Sequence, residues 1–353
     1  MSENAEMIAE IAAEMFGAVE ESDLVEVGLL KVWPTLVELG WPLVGIREDR
    51  GGSGGEFDDL AAVIAAVGRH SVAVPLLEHS LASWAITEAG EQAPSGVVTA
   101  TVEGSVVAEA DSDTTTVTGR LTSVGWFEAA EQVVAPVTLP SGDEVLAVIS
   151  TTASGITRRD EHNLGGEPRS VLTLDATPAR LLRSGPSVDA LRQRAGLLST
   201  VAMLGSMETA YELTRVHVRT REQFGRELAK FQVVSSALAE MSSELTLVRG
   251  VVDAAIKAYG SGAPAAALAV ASSRVLATTV SDTISHHAHH LHGAMGITRE
   301  YPLHKATRRV WSWRDEWGSA RRWRSQLGRH AVGAGPEALW DEMTALCDAG
   351  LAS

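Results

Sequence analysis

The residues best suited to chemistry lie in three strings of the C-terminal half. The first is Arg219-Thr220-Arg221-Glu222-Gln223-Phe224-Gly225, with Phe231-Gln232 downstream. One helical pattern stops at Gly225 and another begins near Phe231. An arginine at such a corner offers a planar fork of donors that matches a diphosphate. Phe224 can pack flat against a ring, and Gln232 can hydrogen-bond one. Each residue alone fits an ordinary helix–helix corner with a buried phenylalanine. The string as a whole favours ligand contact.

The second string, His286-His287-Ala288-His289-His290-Leu291-His292-Gly293-Ala294-Met295-Gly296, packs five histidines into seven residues. His286 and His290 share a helix face, which raises the possibility of a metal site. No cysteine lies nearby and no His-Glu-x-x-His pattern occurs, so no metal ligand set is assigned. The glycines after His292 point instead to a helix end where backbone approaches a ligand closely. The third string runs from Ile297-Thr298-Arg299-Glu300-Tyr301-Pro302 through Arg308-Arg309-Val310-Trp311 to Glu316-Trp317-Gly318-Ser319. Here a carboxylate, aromatic rings and a glycine break meet. A tryptophan-rich core helix with solvated charges is the alternative.

The elements that must position these strings can be read from periodicity. Residues 1–95 read as helices: Leu24, Leu29, Leu30, Val32, Leu36 and Leu39 recur near helical spacing before Gly51-Gly52-Ser53-Gly54-Gly55 breaks the chain. Asp58 and Asp59 then open a helix, where acidic residues favour the dipole, and Leu60, Val63, Ile64 and Val67 form its apolar face. The glycine loop has neither a Gly-x-Gly-x-x-Gly context nor a following Lys-Ser/Thr, so a phosphate-binding loop is a weak reading. Between 97 and 183, β-branched runs such as Val97–Val102, Thr114–Thr118, Gln132–Val137 and Val145–Ile149 alternate with Gly and Asp turns, as in antiparallel sheet. From 187 onward the helical period returns. Val234, Leu238, Met241, Leu245, Val248, Val252 and Ala255 form a packed stripe. Gly260-Ser261-Gly262-Ala263-Pro264 ends that helix, a second runs through Val275, Leu276, Val280 and Ile284, and a last long one starts near His304. About four long helices make a bundle.

Composition narrows the function classes. The 353 residues carry 29 basic against 45 acidic side chains, a net charge of −16, which argues against general nucleic-acid or anionic-membrane binding. Arginines nevertheless cluster at Arg215, Arg219, Arg221 and Arg226 and again between Arg308 and Arg329. A local cationic strip in an acidic protein suits a phosphorylated small molecule. Cys347 is the single cysteine, so no internal disulfide or cysteine-based zinc knuckle is expected. The acidic N-terminus lacks the regions of a signal peptide and no long apolar run appears. A cytoplasmic location is expected.

Arg221-Glu222-Gln223-Phe224-Gly225 with Phe231-Gln232, followed by His292-Gly293-Ala294-Met295-Gly296-Ile297-Thr298-Arg299-Glu300-Tyr301-Pro302, resembles the C-terminal domain of acyl-CoA dehydrogenases. The order of elements is similar to that family along essentially the whole chain. Gly45-Ile46-Arg47-Glu48-Asp49-Arg50-Gly51-Gly52-Ser53-Gly54-Gly55 looks like the family's Pro-Glu-x-x-Gly-Gly-x-Gly loop, with Arg47 in place of the proline. The chain further resembles one subunit of the heteromeric acyl-CoA dehydrogenases of actinobacteria, many of them in steroid breakdown, in which two unlike subunits share sites.

The resemblance implies a mainly α, α+β fold: an N-terminal helical domain over 1–95, a middle β domain over 96–184 and a C-terminal four-helix bundle over 185–353. It implies α,β-dehydrogenation of an acyl-CoA thioester with FAD as cofactor, a homo- or hetero-oligomer, and an electron acceptor such as an electron-transfer flavoprotein. By resemblance, Arg221, Phe224 and Gln232 reach across a subunit interface to a neighbour's FAD. His290, Gly293 and Ala294 occupy the matching FAD-contacting loop, and Ser319 stands where a Thr follows the catalytic Glu-Gly. Two departures are visible. The family's base position falls on Trp317, beside Glu316, and the alternative base position falls near Ala195, between Arg194 and Gly196. No Thr-Glu-Pro followed by Gly-Ser-Asp wraps a flavin, and Gly119-Arg120-Leu121 with Gly125–Glu131 looks like a loose remnant of the region after it. Glu316 is then the candidate catalytic base, one residue out of register. The alternative is a non-catalytic partner that supplies FAD-contacting residues to another chain.

Overall fold

A computed structural model describes residues 3–17, 31–110, 112–335, 337–342 and 344. Leu24, Leu29, Leu30 and Cys347 lie outside the described residues. Among the described residues four α-helices come first: α1 (Glu3–Gly17), α2 (Trp33–Glu38), α3 (Phe57–His70) and α4 (Leu76–Glu88). Helix α3 starts with a reciprocal cap, in which Glu56 and Asp59 satisfy each other's backbone N–H groups, with acidic residues in the first turn. The glycine loop before it folds back on itself: Gly45 N–H donates to the Gly54 carbonyl at 2.8 Å. A Cβ on Gly52 would lie 2.2 Å from the Ile46 carbonyl oxygen. That glycine serves a tight turn, with no ligand needed to explain it.

Strands β1 (Val98–Ala100), β2 (Gly104–Ala108), β3 (Thr114–Gly125), β4 (Gln132–Thr138), β5 (Glu144–Ser150), β6 (Ile156–His162) and β7 (Pro168–Leu181) follow. Their pairing runs β1-β4-β2-β3-β7-β5, with β5 also paired to β4 and β6 to β7. The chain of pairings from β4 through β2, β3, β7 and β5 therefore returns to β4. Closure removes the edges that an open sheet would expose. Val133, Ala135, Val137, Ala147 and Ile149 fill the core of this β unit. Val134, Leu146 and Val148, on the opposite faces of β4 and β5, join the helical core. A strand covered on both sides reads as a continuous apolar run, which is the pattern of 132–137 and 145–149.

The C-terminal part consists of α5 (Val188–Thr220), α6 (Gln232–Gly260), α7 (Ala266–His292), α8 (Leu303–Asp315) and α9 (Ala320–Ala334). Ser187 caps α5 through its hydroxyl, which accepts from Ala190 N–H at 3.1 Å. The stripe on α6 faces inward, with Leu238 partly buried at its edge. The last long helix differs from the sequence expectation: it breaks into α8 and α9. Trp317 and Gly318 both take positive φ (60° and 100°), and Ser319 restarts the helix as a cap, accepting from Arg322 N–H at 3.3 Å. The N-terminal helices share one apolar core with the bundle. Helices α3 and α5 cross closely because Gly68 faces the Ala202 carbonyl, where a Cβ would stand 2.1 Å from the oxygen. Among the described residues no helix is long and apolar enough to cross a membrane.

Candidate functional site

The expected site residues separate into two groups. The first gathers at one end of the bundle, where α5 and α7 finish and α6 begins. After α5, a two-stranded hairpin of β8 (Glu222–Gln223) and β9 (Arg226–Glu227) turns through Phe224 and Gly225. Both turn residues take positive φ, 53° and 79°, the condition for the tight turn that matches strand twist. Phe224 is 90% exposed, which excludes the buried-corner reading. Its ring meets Phe231 edge-on at 6.1 Å, and the Arg226 guanidinium lies 4.0 Å from the Phe231 centroid. Arg221 and Gln232 are exposed beside this hairpin.

A histidine pair ties the second string to this corner. His217, one turn before Arg221, stacks on buried His292 with centroids 4.4 Å apart and planes 20° off parallel. His292 Nδ1 donates to the Ala288 carbonyl at 2.7 Å, and Tyr301 packs on the same ring at 4.8 Å. The Tyr301 hydroxyl donates to the Leu213 carbonyl on α5 at 3.3 Å. Burial lowers the pKa of both His217 and His292, with Arg221 adding to the effect at His217, so two neutral rings stack without charge repulsion. This anchor brings His290, Gly293 and Ala294, all exposed, to the same end as Arg221, Phe224 and Gln232. Gly293 takes φ 58°, ψ −138°, a backbone state unfavourable to any L side chain.

The second group sits elsewhere. Buried Arg274 in mid-α7 donates to the carbonyls of Trp313 and, at 2.6 Å, Glu316. Arg274 lies 18 residues before His292 in α7, about 27 Å along the axis. Glu316 and Ser319 are therefore far from the exposed corner, at the seam between α8–α9 and the β unit. Burial pushes the pKa of Arg274 down to about 10, against the pull of Glu316 and Asp315.

Glu316 is not a free carboxylate, which corrects the expectation of a ready base. Its Oε1 accepts from Arg169 Nε at 3.0 Å and from Asn163 Nδ2 at 3.1 Å, and its Oε2 accepts from Arg169 Nη2 at 2.8 Å. Arg169, on β7, is buried and also faces Glu78 of α4 at 3.3 Å and Glu167 at 3.2 Å. Arg309 of α8 approaches Glu167 at 3.4 Å. Burial alone would lower the pKa of Arg169, but the charges of Glu316, Glu78 and Glu167 together drive it upward. Three carboxylates against two guanidiniums leave one negative charge in excess. Burial, assisted by Glu167 and Glu316 and opposed by Arg169, pushes the Glu78 carboxyl up to about 7. Ser319, expected to contact cofactor, spends its hydroxyl as the α9 cap.

The two positions where the resemblance would put a base, Trp317 and Ala195, hold no carboxylate. Trp317 is buried, and Trp323 packs so tightly on α5 that a Cβ on Gly196 would lie 2.5 Å from its ring. Ala195 is fully buried. Beside it, the buried Arg194 guanidinium lies 4.8 Å from the Trp84 centroid and 5.0 Å from Phe57, and burial lowers its pKa. Gly165 N–H donates to Ser312 Oγ at 2.7 Å, so the turn at 163–167 sits directly on α8. The seam is packed with protein. Its residues fit an internal lock rather than a ring-sized ligand. The exposed corner presents donors outward and fits a diphosphate-bearing cofactor approached from outside the chain. Arg169, Glu78, Glu167 and Asn163 were missed by sequence reasoning; the one signal was a charge beside an apolar run at Glu78 and at Arg169, with no local clue that the two meet Glu316. Among the described residues no group of three or more His, Cys, Asp or Glu side chains is placed to hold a metal ion.

Residues 193–331 match the family model described as acyl-CoA dehydrogenase, C-terminal domain. The acyl-CoA dehydrogenase IpdE2 of Mycobacterium tuberculosis is 27% identical over 280 residues, covering 77% of this chain and 78% of that protein. The ChsE4–ChsE5 complex from Mycobacterium tuberculosis contains a chain of the same fold, with TM-score 0.85 and 21% identity over 95% of this chain and 99% of that one. A Tcur3481–Tcur3483 steroid ACAD variant matches with TM-score 0.84 and 25% identity, covering 94% and 99%. Residues 193–331 carry an acyl-CoA dehydrogenase C-terminal domain, and the chain as a whole is similar in fold to solved acyl-CoA dehydrogenases.

Proposed function

We propose that this chain is one subunit of a heteromeric, FAD-dependent acyl-CoA dehydrogenase, and that it serves an unlike subunit's flavin rather than housing a catalytic base of its own. The observation that carries this reading is the engagement of both Glu316 oxygens by Arg169. Both carboxylate oxygens are occupied by hydrogen bonds from Arg169, with Asn163 on the first, so neither is turned toward a substrate proton. The neighbouring base positions, Trp317 and Ala195, supply no alternative.

Bound flavin would supply the hydride acceptor for α,β-dehydrogenation of an acyl-CoA thioester. This chain's part is to bind and orient. Arg221 offers a fork of donors to the diphosphate, Gln232 and His290 add hydrogen bonds, and the backbone at Gly293 and Ala294 permits close approach. Phe224 stands free to pack on a ring or to enter the partner's surface, which suits a site completed by oligomerisation. The relatives named for a steroid ACAD suggest a bulky acyl group, and electrons would pass to an external acceptor such as an electron-transfer flavoprotein.

The test compares two preparations. Purified alone, the chain should be colourless; co-expressed with an acyl-CoA dehydrogenase-like partner that carries an intact glutamate, it should yield a yellow complex bleached by substrate. In that complex Glu316→Gln should still be bleached. Yellow, substrate-bleached protein from this chain alone, with bleaching abolished by Glu316→Gln, would reinstate Glu316 as the base and sink the proposal.

A further inference from the structure

Two backbone points set the geometry of the exposed corner, and one stack of buried rings joins them. The Arg221 N–H donates to the His217 carbonyl at 2.9 Å, so the hairpin starts from His217. Gly293, whose backbone state shapes the facing loop, follows His292 directly. His217 and His292 are 8% and 5% exposed and lie ring on ring at 4.4 Å. Tyr301 closes over them, at 4.8 Å from His292 and edge-on to His217 at 6.3 Å.

The surroundings of the stack suit neutral rings. His292 Nδ1 is committed to the Ala288 carbonyl, and the buried Nε2 has no hydrogen-bond partner among the described residues. The Leu213 carbonyl beside it favours a proton there, but burial outweighs it, and Tyr301 already donates to that carbonyl. The charges nearby are positive or become so in acid: Arg221 acts on His217, His289 of α7 faces His292, and His304 of α8 faces His289. The carboxylates of the neighbouring elements give no relief. Glu212 of α5 pairs with Arg215, Glu240 of α6 pairs with His287 at 3.1 Å, and the exposed Glu222 and Glu300 act on neither ring. A proton on either ring therefore meets burial and like charge with no carboxylate to offset it.

We propose that His217 and His292 are positioning residues for the corner and that their stack is an acid-sensitive latch. Neutral, it holds Arg221 and Gly293 in register; protonated, it parts and lets the ends of α5 and α7 separate. Burial holds both rings below the ordinary histidine value of 6.5, so the folded corner binds these protons less readily than an unfolded one. The stability that the stack contributes is fully present above pH 6.5 and is lost as pH falls through the lowered folded-state values. That the latch governs a flavin rests on the heteromeric dehydrogenase reading above. Its opening in acid does not.

Hydrogen exchange of the isolated chain, corrected for the intrinsic pH dependence of amide exchange, reads the latch locally. Between about pH 7.5 and about pH 5, protection of segments 210–221 and 286–296 should fall by about tenfold or more, while β4 and β5 keep theirs. Joint replacement by His217→Phe and His292→Phe keeps two rings that cannot take a proton, and protection there should not change with pH. Should that variant fail to fold by circular dichroism, His217→Gln removes one titrating ring and should shrink the acid-induced loss severalfold. Protection in the wild-type chain that ignores pH would overturn the proposal, as would an equal loss in the variant that removes the titrating ring. In the co-expressed complex, flavin retention should fall further in acid for wild type than for the phenylalanine variant; equal retention would remove the positioning role. A corner that opens in the isolated chain while no partner ever yields a flavin complex refutes the heteromer reading alone.

Discussion

Arg169 on β7 and Glu316 in the turn between α8 and α9 form a two-point ion pair, with Nε–Oε1 at 3.0 Å and Nη2–Oε2 at 2.8 Å, across 147 residues of sequence. With Glu78 of α4 on the same guanidinium, at 3.3 Å, the pair joins all three parts of the chain. A buried pair of this kind is costly to break because the survivor is left charged without compensation.

Arg169→Ala should therefore lower unfolding stability by about 3–5 kcal/mol, while Glu316→Gln, which keeps shape and a hydrogen-bonding side chain, should cost about 1–3 kcal/mol. Urea denaturation of the isolated chain measures both. Equal, small effects would show that Arg169 is not the centre of the lock.

Protonation of Glu78 gives a pH signature. Its carboxyl is raised from an ordinary 4.5 to about 7 in the folded chain, so the folded state binds this proton more tightly than the unfolded one. The associated stability is fully present below pH 4.5 and is lost as pH rises through about 7. Glu78→Gln removes the titration. The stability of wild type relative to this variant should fall between roughly pH 5 and pH 8, by an amount on the order of 2–3 kcal/mol. A difference that stays flat with pH would show that Glu78 does not titrate there.

Gly68→Ala probes the α3–α5 crossing. The added methyl would stand 2.1 Å from the Ala202 carbonyl oxygen, and backbone rather than a flexible side chain must yield. A loss of about 1–3 kcal/mol is expected, read as a lower melting temperature, although alanine favours helix over glycine by up to about 1 kcal/mol. An unchanged or raised melting temperature would mean that the two helices separate without penalty.

At the corner the expected signature is the reverse. Arg221 is exposed, so Arg221→Ala should leave the unfolding stability of the isolated chain within about 0.5 kcal/mol of wild type. In the co-expressed complex it should weaken flavin retention by about tenfold or more. Flavin content after gel filtration reports this. Full retention would remove Arg221 from the cofactor site.

The order of helical, β and helical segments was legible in the sequence because period and composition are local properties. The stripe on α6 and the double-faced runs of β4 and β5 each carry their own signal. The corner was legible too, since Arg221, Phe224, Gln232, His290, Gly293 and Ala294 lie in two short strings, and their common end follows once α5 and α7 run the same way. The state of Glu316 was not legible. Its neighbours in sequence, a tryptophan and a glycine, suggest a catalytic turn, whereas its partner Arg169 lies on a strand far away in the chain. The break in the last helix was signalled by Gly318 alone, because Trp317 and Ser319 are compatible with helix until tertiary packing sets the Trp323 ring against Gly196 of α5. Local pattern sets which segments are helix or strand. Which buried charges neutralise one another is a long-range property, decided when the β unit closes onto α8 and low dielectric forces each charge to find a partner.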